Sequence, residues 1–286
     1  VDFARVDDVR LAVVDAVISE VLRASGVDPH SVLLIGAEAR DILHSARGHV
    51  TSLRGTTDVG IGIAVEEWAV YARIEAAFDR TGDTGIRFLI AGLPVDVVPF
   101  GAVEDPRGVT RPQARGTEDI VVFGFADALR HAWHLPLPSG AVIRLPRVEA
   151  YVAMKMRAWI ERSPDHEHRD AYDLAVALGW HLADPSMEAR AWEHEALVTE
   201  ADGDLELVIA TLLGADAASA LSEQDRHDLR VRWSRIDLDT LARPFSAETG
   251  QASSRDPARA RRLLDALTRG LHLPTATRAD PSPRSP

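Results

Sequence analysis

Apolar residues recur at two different periods along this chain, and the change of period divides it. From Asp58 to Val65 the spacing is two: Val59, Ile61, Ile63 and Val65 share one face, and Asp58, Gly60, Gly62 and Ala64 the other. That is the period of a half-buried strand. Short apolar stretches at 32–35, about 120–124 and 141–145 read as further strands. The run "IRFLIAGLPVDVVPF" reads as two strands joined through Ala91, Gly92, Leu93 and Pro94, giving a mixed sheet of roughly five strands. Helical spacing of three and four appears in "VDDVRLAVVDAVISEVLRASG", which stops at Gly26, in "AEARDILHSAR" and in "EEWAVYARIEAAFDR". After Pro146 the helical period takes over, with segments near 147–162, 167–182, 186–200, 204–220, 222–235 and 256–271. The expectation is an α/β (α+β) protein, with a mixed-sheet domain over 1–146 followed by a helical domain over 147–272. "RPFSAETGQASSRDPA" reads as a polar linker, and the Pro-, Ser- and Thr-rich residues 273–286 as a disordered tail.

Composition narrows the chemistry more than the fold. With 286 residues and 46% hydrophobic content the chain can bury a substantial core. It contains no cysteine, so disulfides and thiolate metal sites are excluded, and any metal must be held by carboxylate, imidazole or water. Hard, oxygen-binding ions such as Mg2+ (or Mn2+) are the natural candidates. A net charge of −12 argues against broad, nonspecific nucleic-acid binding. No apolar run reaches membrane-span length and no charged-then-apolar signal pattern opens the sequence, so the expectation is a cytoplasmic protein with no membrane partner. Of the 32 basic residues only Lys155 is a lysine.

Three segments carry candidate chemistry. Asp58 lies at the head of the alternating strand, and the 86–100 hairpin brings Asp96 back into the sheet beside it. The strand at 32–35 breaks at Gly36 and continues as a helix, which places the amides of Gly36 and Ala37 at a helix N-terminus where a phosphate is favoured. Two-metal nucleotidyl transfer wants a second carboxylate at an i, i+2 position on one strand face, since both must reach ions roughly 3.5–4 Å apart. Gly60 stands there instead. Arg40 and Arg54 flank this pocket, either to hold phosphate or to pair with its carboxylates.

Gly36-Ala37, Arg54-Gly55-Thr56-Thr57-Asp58 and Asp96, with the later segments "VVFGFADAL", "LPRVEAYVAMKMRAWIER" and "HRDAYDL", resemble the nucleotidyltransferases of the AbiEii-type toxin family. The likeness covers most of 30–180 and departs from the family pattern at Ala37 and Gly60. It implies a polymerase-β-like nucleotidyltransferase fold. It further implies transfer of a nucleoside monophosphate from a nucleoside triphosphate to a hydroxyl on an acceptor such as tRNA or a translation protein. Asp58 and Asp96 would then be catalytic and metal-binding. Gly36, Ala37, Arg40, Arg54, Thr56, Lys155, Asp170 and Asp173 would bind the nucleotide. The family's toxins are neutralised by an antitoxin protein encoded alongside. Because Gly60 removes a metal ligand, a catalytically degenerate pseudoenzyme that binds nucleotide or a protein partner is the alternative.

Several features have competing explanations. Lys155 suits contact with a triphosphate, or a salt bridge with Asp170 or Asp173. His166 and His168 match no zinc spacing and read as a solvated loop before a helix. Arg107, Arg111 and Arg115 could meet a phosphate or simply lie in an exposed loop. Trp133, Trp159, Trp180, Trp192 and Trp233 fall in helical patterns and read as core.

Overall fold

The computed structural model describes residues 1–51, 53–55, 58–116, 118–247 and 256–274. In chain order the elements are α1 (Asp8–Ser25), β1 (Val32–Ile35), α2 (Gly36–Ala46), β2 (Val59–Val65), α3 (Trp68–Ala77), β3 (Arg87–Ile90) and β4 (Leu93–Gly101). These are followed by β5 (Val109–Thr110), β6 (Ile120–Val121), α4 (Phe125–His131), β7 (Trp133–Pro136) and β8 (Val142–Leu145). The rest is helical: α5 (Val148–Arg162), α6 (Arg169–Leu182), α7 (Pro185–Trp192), α8 (Glu195–Glu200), α9 (Leu205–Ser219), α10 (Glu223–Trp233), α11 (Leu238–Ala247) and α12 (Pro257–His272).

The fold is mixed α/β, as the two periods require. Six strands form one sheet in the order β3-β4-β2-β1-β8-β7, in which β2 runs parallel to β4, β1 runs parallel to β8, and the other neighbours are antiparallel. The sheet has six strands where roughly five are expected, and its membership differs by one exchange. Trp133, read above as helical, opens the four-residue edge strand β7. The segment expected as a strand at 120–124 leaves the sheet: only Ile120 and Val121 are extended, paired with β5 in a separate ribbon.

Alternation along the strands sorts the two faces. One buries Leu34, Ile61, Ile63, Val95 and Val97 in the main core with Val14, Val17 and Val21 of α1. That core continues without a break past Pro146 into Val152, Met156, Trp159 and Leu174, so the helical half closes on the same hydrophobic mass as the sheet. The opposite face carries a smaller cluster of Leu33, Val98, Phe100, Val122, Ala128 and Ala150, capped by Phe125 and Met154. Phe100 and Phe125 meet edge to face, with centroids 5.5 Å apart. A Cβ at Gly62 would come within 3.1 Å of the Phe125 ring, which accounts for the glycine there.

Helix boundaries follow the residues that stop them. The expected helix at 186–200 is two, α7 and α8, meeting at His194, and Trp192 at the end of α7 is 56% exposed instead of core. Trp159, Trp180 and Trp233 are buried. The linker reading fails at its start, because residues 243–247 complete α11 with Pro244 inside it. Residues 248–255 of that linker, and the expected tail from 275 onward, lie outside the described residues. Helices α9 and α12 cross at Gly214 and Gly270, where their backbones touch: a Cβ built on Gly270 would sit 2.9 Å from Gly214 Cα. No helix among the described residues is long and apolar enough to cross a membrane.

Candidate active site

The acidic end of the sheet is assembled by strand register. The β3–β4 hairpin turns on two residues, Ala91 and Gly92, both with positive φ (50° and 77°), the conformation a tight right-twisting hairpin needs and glycine adopts at little cost. A two-residue turn fixes the ladder, so that Ile90 faces Leu93 and Arg87 faces Asp96. The parallel β2–β4 ladder sets Gly60 beside Asp96, and the antiparallel β1–β2 ladder sets Ile35 beside Gly60. One row of side-chain positions therefore runs Arg87, Asp96, Gly60, Ile35 across four strands, with Asp58 two residues before Gly60.

Asp58 and Asp96 converge, and the structure shows what lies between them. Arg87 Nη2 donates to Asp58 Oδ2 at 2.9 Å and to Asp96 Oδ2 at 2.8 Å, while Arg87 Nε donates to Asp96 Oδ1 at 2.7 Å. The two carboxylates thus meet at a single guanidinium nitrogen. Hydrogen bonds to Asp96 first, and the charges of Asp96 and Asp58, hold the Arg87 guanidinium above its usual range. Sequence reasoning missed Arg87. Its signal was the hairpin itself: a turn at Ala91-Gly92, two residues shorter than the four read from sequence, counts back to Arg87 opposite Asp96.

Gly60 has a packing reason to be glycine. A Cβ there would approach Ile35 Cγ1 at 3.2 Å and the Ile35 carbonyl oxygen at 3.3 Å, so β1 presses close against the position where a second aspartate would stand. Next to it, Gly36 has φ of 71°, and Ile35 caps α2 without any side-chain hydrogen bond. The first amides of α2, including those of Gly36 and Ala37, therefore have no capping side chain. Glu38 of that turn points to α1, where Arg10 Nη1 donates to both of its oxygens at 2.9 Å; burial pushes this carboxyl up, against the pull of Arg10.

The remaining candidates form a second, buried assembly. Lys155 Nζ lies 2.5 Å from Asp173 Oδ2 and 3.2 Å from Asp170 Oδ1. Asp170 is also held by Arg162 at 2.7 and 2.9 Å, and Asp173 by Arg40 Nη1 at 2.9 Å. Arg40 reaches on to Asp41 at 2.7 Å and to the Arg54 carbonyl at 2.7 Å, which ties the start of the Asp58 segment to α2. Burial works to raise the Asp173 carboxyl, but Lys155 and Arg40 together outweigh it and hold it below its usual range. Of the two roles open to Lys155, the salt bridge is present with both aspartates, and only 8% of the residue is exposed.

Arg54 stands apart. Its amide donates to the Tyr172 hydroxyl at 3.0 Å, its guanidinium lies 5.9 Å from the Tyr172 ring centre, and its side chain faces solvent. Together with His168, Arg169, Tyr172, Pro244 and Ala247 it lines a cavity of about 240 Å³ beside the N-terminus of α6. Thr56 lies outside the described residues. Arg107, Arg111 and Arg115 are engaged by Asp225, Asp119 and Glu118 respectively, so the loop arginines serve internal ion pairs. His168 packs on Trp159 at 5.5 Å, and His166 follows a short turn of helix, as a loop before α6 would have it.

Asp58 and Asp96 supply a pair of hard oxygen donors that converge on one cationic group, the Arg87 guanidinium. Among the described residues there is no group of three or more ligating side chains. Two carboxylates are hard oxygen donors of the kind that Mg2+ (or Mn2+) takes, with water able to fill its other positions. No protein-family model and no curated protein matches this chain.

Proposed function

We propose that this protein is a nucleotidyltransferase that moves a nucleoside monophosphate from a nucleoside triphosphate to a hydroxyl acceptor. The observation that carries the reading is the meeting of Asp58 and Asp96 at one cation, in the row that ends beside the Gly36 turn. In this reading the triphosphate lies along the uncapped amides of Gly36 and Ala37, where the helix dipole favours negative charge. The exposed guanidinium of Arg54 adds a phosphate contact. Arg40, Lys155, Asp170 and Asp173 form a rigid, charge-balanced wall that fixes α2 against α5 and α6. The acceptor hydroxyl attacks the α-phosphorus, its proton passes to a carboxylate or to water, and pyrophosphate leaves. A divalent ion held by Asp58 and Asp96 contributes, when bound, neutralisation of phosphate charge and a lower pKa for the attacking hydroxyl.

The acceptor class is tRNA or a translation protein, and the biological setting a toxin–antitoxin pair; both rest on the resemblance described above. The test is incubation with each labelled nucleoside triphosphate, Mg2+ and total tRNA or cell protein. Label should move to an acceptor with wild-type protein and stay put with Asp96→Asn.

A second reading, a nucleotide- or partner-binding pseudoenzyme, draws on Gly60 and on Arg87 already pairing with both carboxylates. Binding of triphosphate by calorimetry without transfer to any acceptor decides for it.

A further inference from the structure

Arg87 is the one charged side chain at this end of the row that the proposed reaction does not use. Its guanidinium gives Asp96 two charge-assisted hydrogen bonds and Asp58 a third, and so fills the point where their lone pairs converge. A planar fork and a divalent ion cannot both occupy that point. The three side chains keep 31%, 35% and 26% of their surface open, so the fork is within reach of solvent and able to exchange.

We propose that Arg87 is the resident counter-ion of the Asp58 and Asp96 site, which a divalent cation must displace. The free protein then holds metal weakly and takes it up together with a polyphosphate, whose charge compensates the released guanidinium. This rests on the reading that the two carboxylates hold a metal, and adds to it how loading is controlled. Electrostatics sets the sign. Two carboxylates with one guanidinium leave a single negative charge for the incoming ion, whereas removing the guanidinium leaves two and clears the space. If Arg87 were only a rivet joining β3 to β4 and β2, its removal would let the carboxylates separate and weaken metal binding.

The experiment is Mn2+ titration followed by electron paramagnetic resonance, without nucleotide, on wild type, Arg87→Ala and Arg87→Gln. The glutamine keeps most of the stem and an amide donor, so a folded variant is in hand even where alanine loosens the edge strand. Both variants should bind Mn2+ about tenfold tighter than wild type or more, and adding Asp96→Asn should abolish the gain. Unchanged or weaker binding in the folded variants overturns the proposal, as does a gain that survives Asp96→Asn. Metal binding is read here without turnover. Tighter Mn2+ with no transfer to any acceptor leaves this inference standing and removes the enzymatic reading, and transfer by wild type with no change in Mn2+ binding does the reverse.

Discussion

Replacing Lys155 by methionine separates two roles that a lone lysine in a candidate nucleotide site could have. In the structure its ammonium sits 2.5 Å from Asp173 and 3.2 Å from Asp170, with both aspartates essentially inaccessible to water. Removing one partner of a buried ion pair typically costs about 3–5 kcal/mol, because the other charge is stranded. Here neither carboxylate is left alone: Asp170 keeps Arg162 and Asp173 keeps Arg40. Methionine also refills the volume of the lysine stem, so little is lost to a cavity. The expected loss is therefore near the lower end, about 3 kcal/mol, read from urea unfolding at neutral pH. Arg162→Gln is the internal control. Arg162 is 39% exposed and should cost less than about 1 kcal/mol. Calorimetry with nucleoside triphosphate should find the affinity of folded Lys155→Met within about threefold of wild type. Stability unchanged to within about 0.5 kcal/mol, with triphosphate affinity reduced tenfold or more, would refute this account and make Lys155 a phosphate ligand.

Other perturbations test other parts of the molecule. Burial first, and the nearby Arg47, push His181 down to about 4 from an ordinary 6.5, so the unfolded chain binds the extra proton first. Stability should be full above pH 6.5 and fall by about 3 kcal/mol from this group as pH drops to 4, a slope that His181→Gln should flatten in urea titrations. Gly270→Ala drives a methyl into the α9 backbone, onto the Thr211 carbonyl oxygen and to within 2.9 Å of the Ala215 nitrogen and Gly214 Cα. It should cost about 1–3 kcal/mol net of the better helix propensity, and a variant as stable as wild type on thermal melting would contradict the close crossing. Gly60→Asp must push Ile35 aside by a few tenths of an ångström and should lose about 1–2 kcal/mol, while raising Mg2+ affinity. Unaltered Mg2+ binding would show that the new carboxylate does not join Asp58 and Asp96.

Much of this architecture was legible because two periods in the sequence map onto two kinds of element. The alternation at 58–65 places Asp58 and Gly60 on one face, and the break at Gly36 opens α2, as found. What escaped was decided by geometry with little local signature. β7 is four residues ending in proline, placed by pairing with β8 and by Leu135 entering the core. Pro244 and the polar residues after it read as linker, yet Leu241, Ala242 and Phe245 bury one face of α11 and hold it helical. At the site, charge type was readable and pairing was not. Nothing local in "GIRFLI" says that Arg87 answers Asp96; that follows from a turn two residues shorter than expected. Likewise Lys155 and Asp173 are 18 positions apart, and only the packing of α5 on α6 brings them together.

A chain with one lysine and no cysteine has an unusual chemical silence, and the burial of Lys155 deepens it. An acylating reagent must reach the amine, while this one is held between two carboxylates and almost wholly buried. Acylation at Lys155 can proceed only when α5 and α6 part, so its rate counts those openings directly and a single modified peptide reports them. The same silence leaves a clean background for a cysteine introduced anywhere else, since every thiol label would then mark one chosen position.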